Sequence, residues 1–196
     1  MANITGIVLM GGQSRRFQAD KAFAVYCDKT FYQQSIRLLE PFANTIYVVK
    51  RPDQSITINH DKITIASDIE RFRGEGPLAG IYTVMSRAST DWFMVLPVDT
   101  PLISASILFR LTQYLHKKTD AVIPIVNGNI QPLIGLYHSD VKGYIEQQLI
   151  NKDRSMHQLL AKLTVHYVEF PAEDAHFFAN INTEEEYHYY IKDQLE

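Results

Sequence analysis

Short apolar runs rich in β-branched and aromatic residues recur along the chain, at lengths typical of buried strands. The runs are residues 4–9, 45–49, 63–66, 92–96, 121–126 and 164–170. Between them, apolar residues recur at helical spacing, for example after Ser104 and after Ser155. Because strands that alternate with helices build a sheet covered by helices, the pattern predicts an α/β fold.

A strong helix-start signal lies near the end of the chain. Thr183, with Glu186 three positions later, has the pattern of a capping box, and two more acidic residues between them suit the positive end of a helix dipole. A helix is therefore predicted to begin at Asn182 or Thr183, with an apolar stripe over residues 187–191 on its buried side. Residues 127–129 predict a tight turn between two strands.

Composition narrows the class of protein. The 196 residues are 46% hydrophobic and contain no linker or repeat, so residues 1–196 are expected to form one globular domain. A net charge of -3 without a run of basic residues disfavours nucleic acid and anionic membrane as partners. A lone cysteine, no signal peptide and no long apolar run predict a cytoplasmic, soluble protein.

The first strand leads directly into a glycine-rich turn with nearby cations. Gly11 and Gly12 follow Leu9 and Met10, and Arg15, Arg16 and Lys21 come within ten residues. Adjacent glycines can take positive φ and let the backbone approach phosphate oxygens, at the sheet edge where α/β folds bind ligands. An ordinary strand-to-helix turn is the alternative. The spacing matches neither the dinucleotide-binding nor the Walker A loop, which disfavours a dehydrogenase and a P-loop hydrolase.

A carboxylate follows the strand over residues 92–96. Asp99 lies between Pro97 and Pro101, which restrict its loop. One carboxylate together with phosphate oxygens and waters is a usual way for proteins to hold Mg²⁺. A helix cap or a turn is the alternative role for this aspartate.

A third candidate segment runs from Asp68 to Gly80 and contains glycines, Arg71 and Arg73. Asp68 suits hydrogen bonds from a ribose or a base, and the two arginines suit phosphate, although a solvated loop has the same composition. The histidines show no metal-binding spacing and are expected at the surface or in ordinary packing.

The order and spacing of these segments are typical of one family. They are residues 9–16 with Asp20 and Lys21, residues 76–81, and residues 96–101, followed by residues 131–133, 153–155 and 178–183. The chain thereby resembles the molybdenum cofactor guanylyltransferases (the MobA family) over nearly its whole length. Departures from the usual family residues are Met10 for Ala, residues 17–18 for Met-Gly and Lys152 for Gly, and residues 50–53 lack an Asn that often contacts nucleotide. No site is carried over to residues 50–53.

The resemblance implies a Rossmann-like nucleotidyltransferase fold: a glycosyltransferase-A-like three-layer sandwich with a mostly parallel sheet. It also implies transfer of GMP from GTP, with Mg²⁺, to the terminal phosphate of molybdenum-bound molybdopterin, with pyrophosphate as the second product. The amino-terminal part would bind the nucleotide and the carboxyl-terminal part the acceptor. Upstream and downstream proteins of molybdenum cofactor synthesis would be further partners.

The same resemblance implies a role for each matching residue. The phosphates would be cradled by the turn, with further contacts from two cations, while one aspartate would bind GTP and another would hold Mg²⁺. These residues are Leu9, Met10, Gly11 and Gly12 for the turn, Arg16 and Lys21 for the cations, Asp68 for GTP and Asp99 for Mg²⁺. Because the acceptor phosphate is already anionic, no catalytic His or Ser is predicted, and Lys21, Arg16 and Asp99 would carry catalysis.

Several alternatives remain at the level of sequence. A relative that transfers CMP and a sugar-phosphate nucleotidyltransferase share the glycine turn, the lysine and the aspartate. A nucleotide-binding module without catalysis is an alternative of another class, and the joint presence of Lys21 and Asp99 argues against it. Asn180 and Asn182 are candidates for contact with the pterin, although a turn and a helix cap explain them equally well.

Overall fold

The computed structural model describes residues 2–11, 20–115 and 118–192. Its strands follow the apolar runs of the sequence. They are β1 (Ile4–Leu9), β2 (Val25–Tyr26), β3 (Lys29–Thr30), β4 (Thr45–Val49), β5 (Ile63–Ala66), β6 (Trp92–Pro97), β7 (Ala121–Val126), β8 (Asn129–Ile130), β9 (Gly135–His138) and β10 (Val165–Phe170).

One mixed sheet organises the molecule, with the strand order β10-β7-β9-β6-β1-β4-β5 and β8 paired to β7. β1 lies between β4 and β6 and is parallel to both, and β5 continues the parallel set beyond β4. β9 runs antiparallel between β6 and β7. The carboxyl ends of β1, β4, β5 and β6 therefore meet at the same edge, where ligands of such sheets bind.

Helices cover both faces of this sheet. They are α1 (Phe31–Leu39), α2 (Pro77–Met85), α3 (Ala105–Thr112), α4 (Val141–Ile150), α5 (Met156–Leu160) and α6 (Glu184–Tyr187). Residues of α1 and α3 share one buried cluster with Ile4 and Val8, whereas residues of α2, α4 and α5 share another with Ile7 and Leu9. The alternation along β1 shows why the strand is apolar throughout: each of its faces meets a different helical layer.

The structure confirms the predicted strands and the α/β fold with a mostly parallel sheet. The run at 92–96 extends to Pro97, and the run at 164–170 begins one residue later. Thr183 and Glu186 form the predicted capping box, and Asn127 and Gly128 take positive φ in the predicted turn. β9 was not predicted, because Gly135 and His138 flank only two large apolar residues and leave no apolar run.

In the part of the chain that the structure describes, no helix is both long enough and apolar enough to span a membrane.

Candidate active site

A cavity of about 510 Å³ opens at the carboxyl edge of the parallel strands. Residues at or just after the carboxyl ends of β1, β4, β5 and β6 all contribute to its wall. They include Leu9 and Gly11, Val49 to Asp53, Ser67 and Asp68, and Pro97 to Asp99. Lys21, Arg73, Gly80 and Leu133 also line the cavity. The cavity lies where the topology of an α/β sheet predicts a ligand site.

Lys21 and Asp99 form a largely buried ion pair in this cavity. The Lys21 Nζ lies 2.9 Å from Asp99 Oδ2, although 78 positions separate the two residues in the chain. Lys21 belongs to a 3₁₀ turn (Lys21–Phe23) whose start is capped by the side chain of Asp20, and the residue is only 7% exposed. A long cationic side chain is thus held with its charged end at the sheet edge.

Asn182 joins this pair from the carboxyl-terminal part of the chain. Its Oδ1 accepts a hydrogen bond from Lys21 Nζ at 2.7 Å, and its backbone N–H donates to Glu186 Oε2 at 2.7 Å. The preceding N–H, that of Ile181, donates to the carbonyl oxygen of Asp99 at 2.8 Å. The cap of α6 therefore fixes Asn182 against Lys21. The sequence made Asn182 a candidate for contact with the pterin or for a helix cap and did not predict its contact with Lys21.

The second carboxylate oxygen of Asp99 has a different environment. Asp99 Oδ1 is buried, and within the described residues no hydrogen-bond donor reaches it. The loop is held by the Val98 N–H, which donates to the carbonyl of Leu9, and by the Thr100 hydroxyl, which donates to the carbonyl of Pro97. Because Ser104 precedes α3 as its N-cap residue, Asp99 does not cap that helix. A buried carboxylate oxygen without a donor is suited to a hard cation or to a donor on a ligand.

Asp68 lies at the same edge, after β5. Its Oδ2 accepts the backbone N–H of Gly74 at 3.1 Å. Burial raises the pKa of Asp68, while the Gly74 hydrogen bond and the charge of Arg73 act in the opposite direction. Gly74 and Gly76 both take positive φ, so the loop that carries Asp68 toward α2 depends on glycine at two points.

α2 approaches β1 closely beside Asp68. A Cβ added at Gly80 would lie 2.9 Å from Leu9 Cδ2 and 3.3 Å from Val49 Cγ1. The helix can pack against the sheet at this distance only because residue 80 has no side chain. Gly80 thereby sets the width of the cavity between α2 and the strands.

The predicted residues of the glycine-rich turn are placed differently from one another. Leu9 and Gly11 line the cavity, and a Cβ at Gly11 would meet nothing within 4 Å. Gly11 does not take the positive φ that glycine allows. Met10 is buried in the core, and its N–H and carbonyl bond to Val49 and Gln54. Gly12 and Arg16 lie outside the described residues.

The loop after β4 was missed by sequence reasoning. Lys50, Arg51 and Asp53 line the cavity, and Arg51 pairs with Asp20 at 2.8 Å and with Asp53 at 3.1 Å. The position of the loop at the end of a predicted parallel strand was the available signal. The family resemblance assigns the charged residues of this loop no role, because the Asn common in the family is absent from it.

The two arginines of the segment after Asp68 lie in different places. Arg73 lines the cavity and lies 3.6 Å from Glu70, whereas Arg71 lies 3.4 Å from Glu146 of α4. The phosphate contact expected of Arg71 therefore finds no support in the structure, because its guanidinium is directed toward the helix layer. Within the described residues, no cluster of three His, Cys, Asp or Glu side chains is arranged to hold a metal.

Comparison with known proteins decides the family. Residues 6–167 match the MobA-like NTP transferase domain. A protein of a Geobacillus species named "Probable molybdenum cofactor guanylyltransferase" is 39% identical over 190 residues, which cover 95% of this chain and 97% of that protein. The chain belongs to the MobA-like NTP transferase family. It is therefore a nucleotidyltransferase by descent, and the cavity at the sheet edge lies within the matched residues apart from the Asn182 contact.

Solved structures share the fold of this MobA-like protein. Molybdopterin-guanine dinucleotide biosynthesis protein A from Archaeoglobus fulgidus superposes with a TM-score of 0.79 at 22% identity, over 97% of this chain and 98% of that one. 4-Diphosphocytidyl-2C-methyl-D-erythritol synthase from Anaerococcus prevotii superposes with a TM-score of 0.76 at 13% identity, over 100% of this chain and 97% of that one. Proteins named for different nucleotides thus have the same Rossmann-like architecture.

Proposed function

We propose that this protein transfers GMP from GTP to the terminal phosphate of molybdenum-bound molybdopterin and releases pyrophosphate. The observation that carries the proposal is the buried contact between Lys21 and Asp99 at the mouth of parallel strands, in a chain that resembles named guanylyltransferases over 95% of its length. The cavity of about 510 Å³ falls in the usual range of small-ligand sites.

The charges of the cavity suit a triphosphate. The cationic side chains Lys21, Lys50, Arg51 and Arg73 lie in its wall, and Gly11 leaves open space beside the first strand. The ammonium of Lys21 is held from two sides, by Asp99 and Asn182. We assign Lys21 to a phosphate of the nucleotide and Asp68 to its ribose or base.

The reaction needs alignment more than proton transfer. An oxygen of the acceptor phosphate attacks the α-phosphorus of GTP, the new P–O bond forms, and the bond to the β-phosphate oxygen breaks to release pyrophosphate. The attacking oxygen is already anionic at neutral pH, so no general base is required. The Lys21 ammonium lowers the repulsion between the two anions and stabilises charge that develops on the leaving pyrophosphate.

The Asp99 carboxylate fits a magnesium ion. Its Oδ1 is buried without a donor among the described residues, and Mg²⁺ takes oxygen ligands with one or two carboxylates plus phosphate oxygens and water. When bound, Mg²⁺ would supply charge neutralisation at the phosphates. The ion pair with Lys21 keeps the carboxylate in place and leaves its other oxygen for the cation.

The acceptor is assigned to the carboxyl-terminal side of the cavity. Asn182 contacts Lys21 there, and Leu133, which shortly precedes β9, lines the wall. A substrate seated beside these residues would bring its phosphate toward Lys21. We place the protein in the cytoplasm, with proteins that make molybdopterin and proteins that receive the product as its partners.

The test is pyrophosphate release from GTP, CTP, ATP and UTP with Mg²⁺ and molybdenum-loaded molybdopterin. Release with GTP alone is expected, with a loss of at least about 100-fold in Lys21→Ala because a preorganised charge is removed. Release with CTP instead would be consistent with the proposed mechanism but would show that the assignment of GTP as substrate is wrong. Tight GTP binding with no release from a competent acceptor would favour a nucleotide-binding module.

A further inference from the structure

Gln54 is a buried polar residue in the loop that follows β4, with an exposed fraction of 3%. Both polar atoms of its side-chain amide are hydrogen-bonded. Oε1 accepts the N–H of Arg51 at 2.8 Å, and Nε2 donates to Asp20 Oδ2 at 2.7 Å and to the carbonyl of Met10 at 3.4 Å. Because one end faces only a donor and the other only acceptors, these partners determine the orientation of the amide.

Two partners of Gln54 bound the glycine-rich segment of the sequence. Met10 directly follows β1, and Asp20 directly precedes Lys21. One side-chain NH₂ group therefore ties the residue at which the chain leaves the sheet to the residue at which it reaches the lysine. The main chain of Gln54 is held as well, since its carbonyl accepts from Lys50 Nζ at 2.7 Å.

Asp20 links the contact with Gln54 to the position of Lys21. Its Oδ1 accepts the N–H of Ala22 at 3.1 Å and so caps the 3₁₀ turn that begins with Lys21. Its Oδ2 is shared between Gln54 Nε2 and the guanidinium of Arg51. A change in the position of Asp20 would therefore rotate the turn and move the Lys21 ammonium away from Asp99.

We propose that Gln54 is a positioning residue for nucleotide binding. By holding Met10 and Asp20 together, it sets the start and the end of the glycine-rich segment and directs Lys21 toward Asp99. We call the contacts of Gln54 with Met10 and Asp20 the Gln54 clamp. The inference rests on the proposed function in taking GTP as the ligand, whereas the clamp itself involves this chain alone.

The test is the variant Gln54→Glu. Its carboxylate would face the Asp20 carboxylate and the Met10 carbonyl in place of an NH₂ group, which turns two attractions into repulsions. The dissociation constant for GTP is expected to rise at least about tenfold at pH 8, measured well below the melting temperature so that all molecules are folded. A role in stability alone would lower the melting temperature and leave the affinity of the folded protein unchanged.

Two further variants serve as controls. Gln158→Glu makes the same charge change at an exposed position of α5 and is expected to bind GTP as the wild type does. In the double variant Asp20→Asn with Gln54→Glu, the amide introduced at position 20 can donate to the new carboxylate at position 54, whereas the contacts with Arg51 and the Met10 carbonyl stay broken. The affinity is therefore expected to recover in part, by at least about threefold over Gln54→Glu alone. Failure of this exchange to recover any affinity would overturn the proposed contact.

Hydrogen exchange tests the clamp without a nucleotide. In the ligand-free protein, the amide of Ala22 is expected to exchange faster in Gln54→Glu than in the wild type, while the amide of Ile36 in α1 is unchanged. If exchange at Ala22 is the same in both proteins, the positioning role of Gln54 is wrong, whatever the GTP affinity of the variant. If exchange at Ala22 is faster in Gln54→Glu but the wild type uses another nucleotide, the Gln54 clamp is supported and the proposed substrate is wrong.

Discussion

Asp99 and Asp68 occupy equivalent places at the sheet edge, each just after a parallel strand, yet their surroundings differ. Asp99 meets the ammonium of Lys21 with one oxygen and has a buried second oxygen without a donor among the described residues. Asp68 meets no cation within salt-bridge distance in the described structure, accepts the N–H of Gly74, and has a pKa raised by burial.

The difference shows that one sequence pattern, an aspartate after an apolar strand, can lie in two different chemical environments. The Asp99 region is built to keep a charge in place, because a cation is fixed beside it. The Asp68 region is built as an acceptor of hydrogen bonds, held by a glycine loop and set close to α2. Charge neutralisation is thus expected near Asp99 and recognition of the nucleoside near Asp68.

The largest expected effect comes from Asp99→Asn. The amide keeps the shape of the side chain but is neutral and a poor ligand for Mg²⁺, so turnover is expected to fall about 10²–10³-fold while GTP still binds. Steady-state pyrophosphate release across a magnesium titration measures the loss. Full turnover with the same magnesium dependence as the wild type would show that Asp99 has no role in holding the metal.

A smaller and different effect is expected from Asp68→Asn. If the carboxylate accepts hydrogen bonds from the nucleoside, the KM for GTP rises about tenfold, with a much smaller change in kcat. The kinetic constants of both aspartate variants, measured side by side, separate the two regions. A loss confined to kcat would mean that Asp68 acts on the reacting phosphates instead.

The pH dependence of stability tests the environment of Asp68. A folded-state pKa of Asp68 above its ordinary value of 3.8 means that ionisation opposes folding. The stability that the protonated form contributes is fully present below 3.8 and is lost as the pH rises through the raised value. Asp68→Asn is therefore expected to have a higher melting temperature than the wild type at neutral pH, with a gap that closes in acid. A gap independent of pH would contradict this account.

The smallest expected effect concerns the width of the cavity beside Asp68. Gly80→Ala places a methyl group against Leu9, whereas Gly143→Ala in α4 meets nothing within 4 Å. Gly143→Ala is expected to stabilise the protein by about 0.5–1 kcal/mol, and Gly80→Ala to be less stable than Gly143→Ala by about 1 kcal/mol or more. Denaturant unfolding compares them, and the KM for GTP should rise only in Gly80→Ala. Equal stability of the two variants would mean that α2 can shift freely.

Much of the fold was predictable because its signals are local. The strands at 4–9, 45–49, 63–66 and 121–126 have the bounds that the apolar runs predicted. The capping box at Thr183 was predictable for the same reason, since both of its hydrogen bonds join residues three positions apart. The antiparallel β9 escaped prediction, because its place between β6 and β7 depends on contacts with distant segments.

The candidate site was predictable as a set of residue types and not as a set of contacts. The sequence singled out Lys21 and Asp99, and the structure puts them 2.9 Å apart. The sequence assigned no role to Lys50 or Arg51, because residues 50–53 lack the Asn that often contacts nucleotide in the family, and none to Gln54, because its partners are distant in the chain.

The sequence by itself determined the strands, the cap of the last helix and the residues that carry charge, since these depend on neighbours within a few positions. Only the tertiary structure decided which oxygen of Asp99 meets Lys21, that Asn182 reaches the same ammonium from 161 positions away, and that Gln54 joins the two ends of the glycine-rich segment. The physical reason is that these are long-range contacts, fixed by the packing of strands and helices on both faces of one sheet.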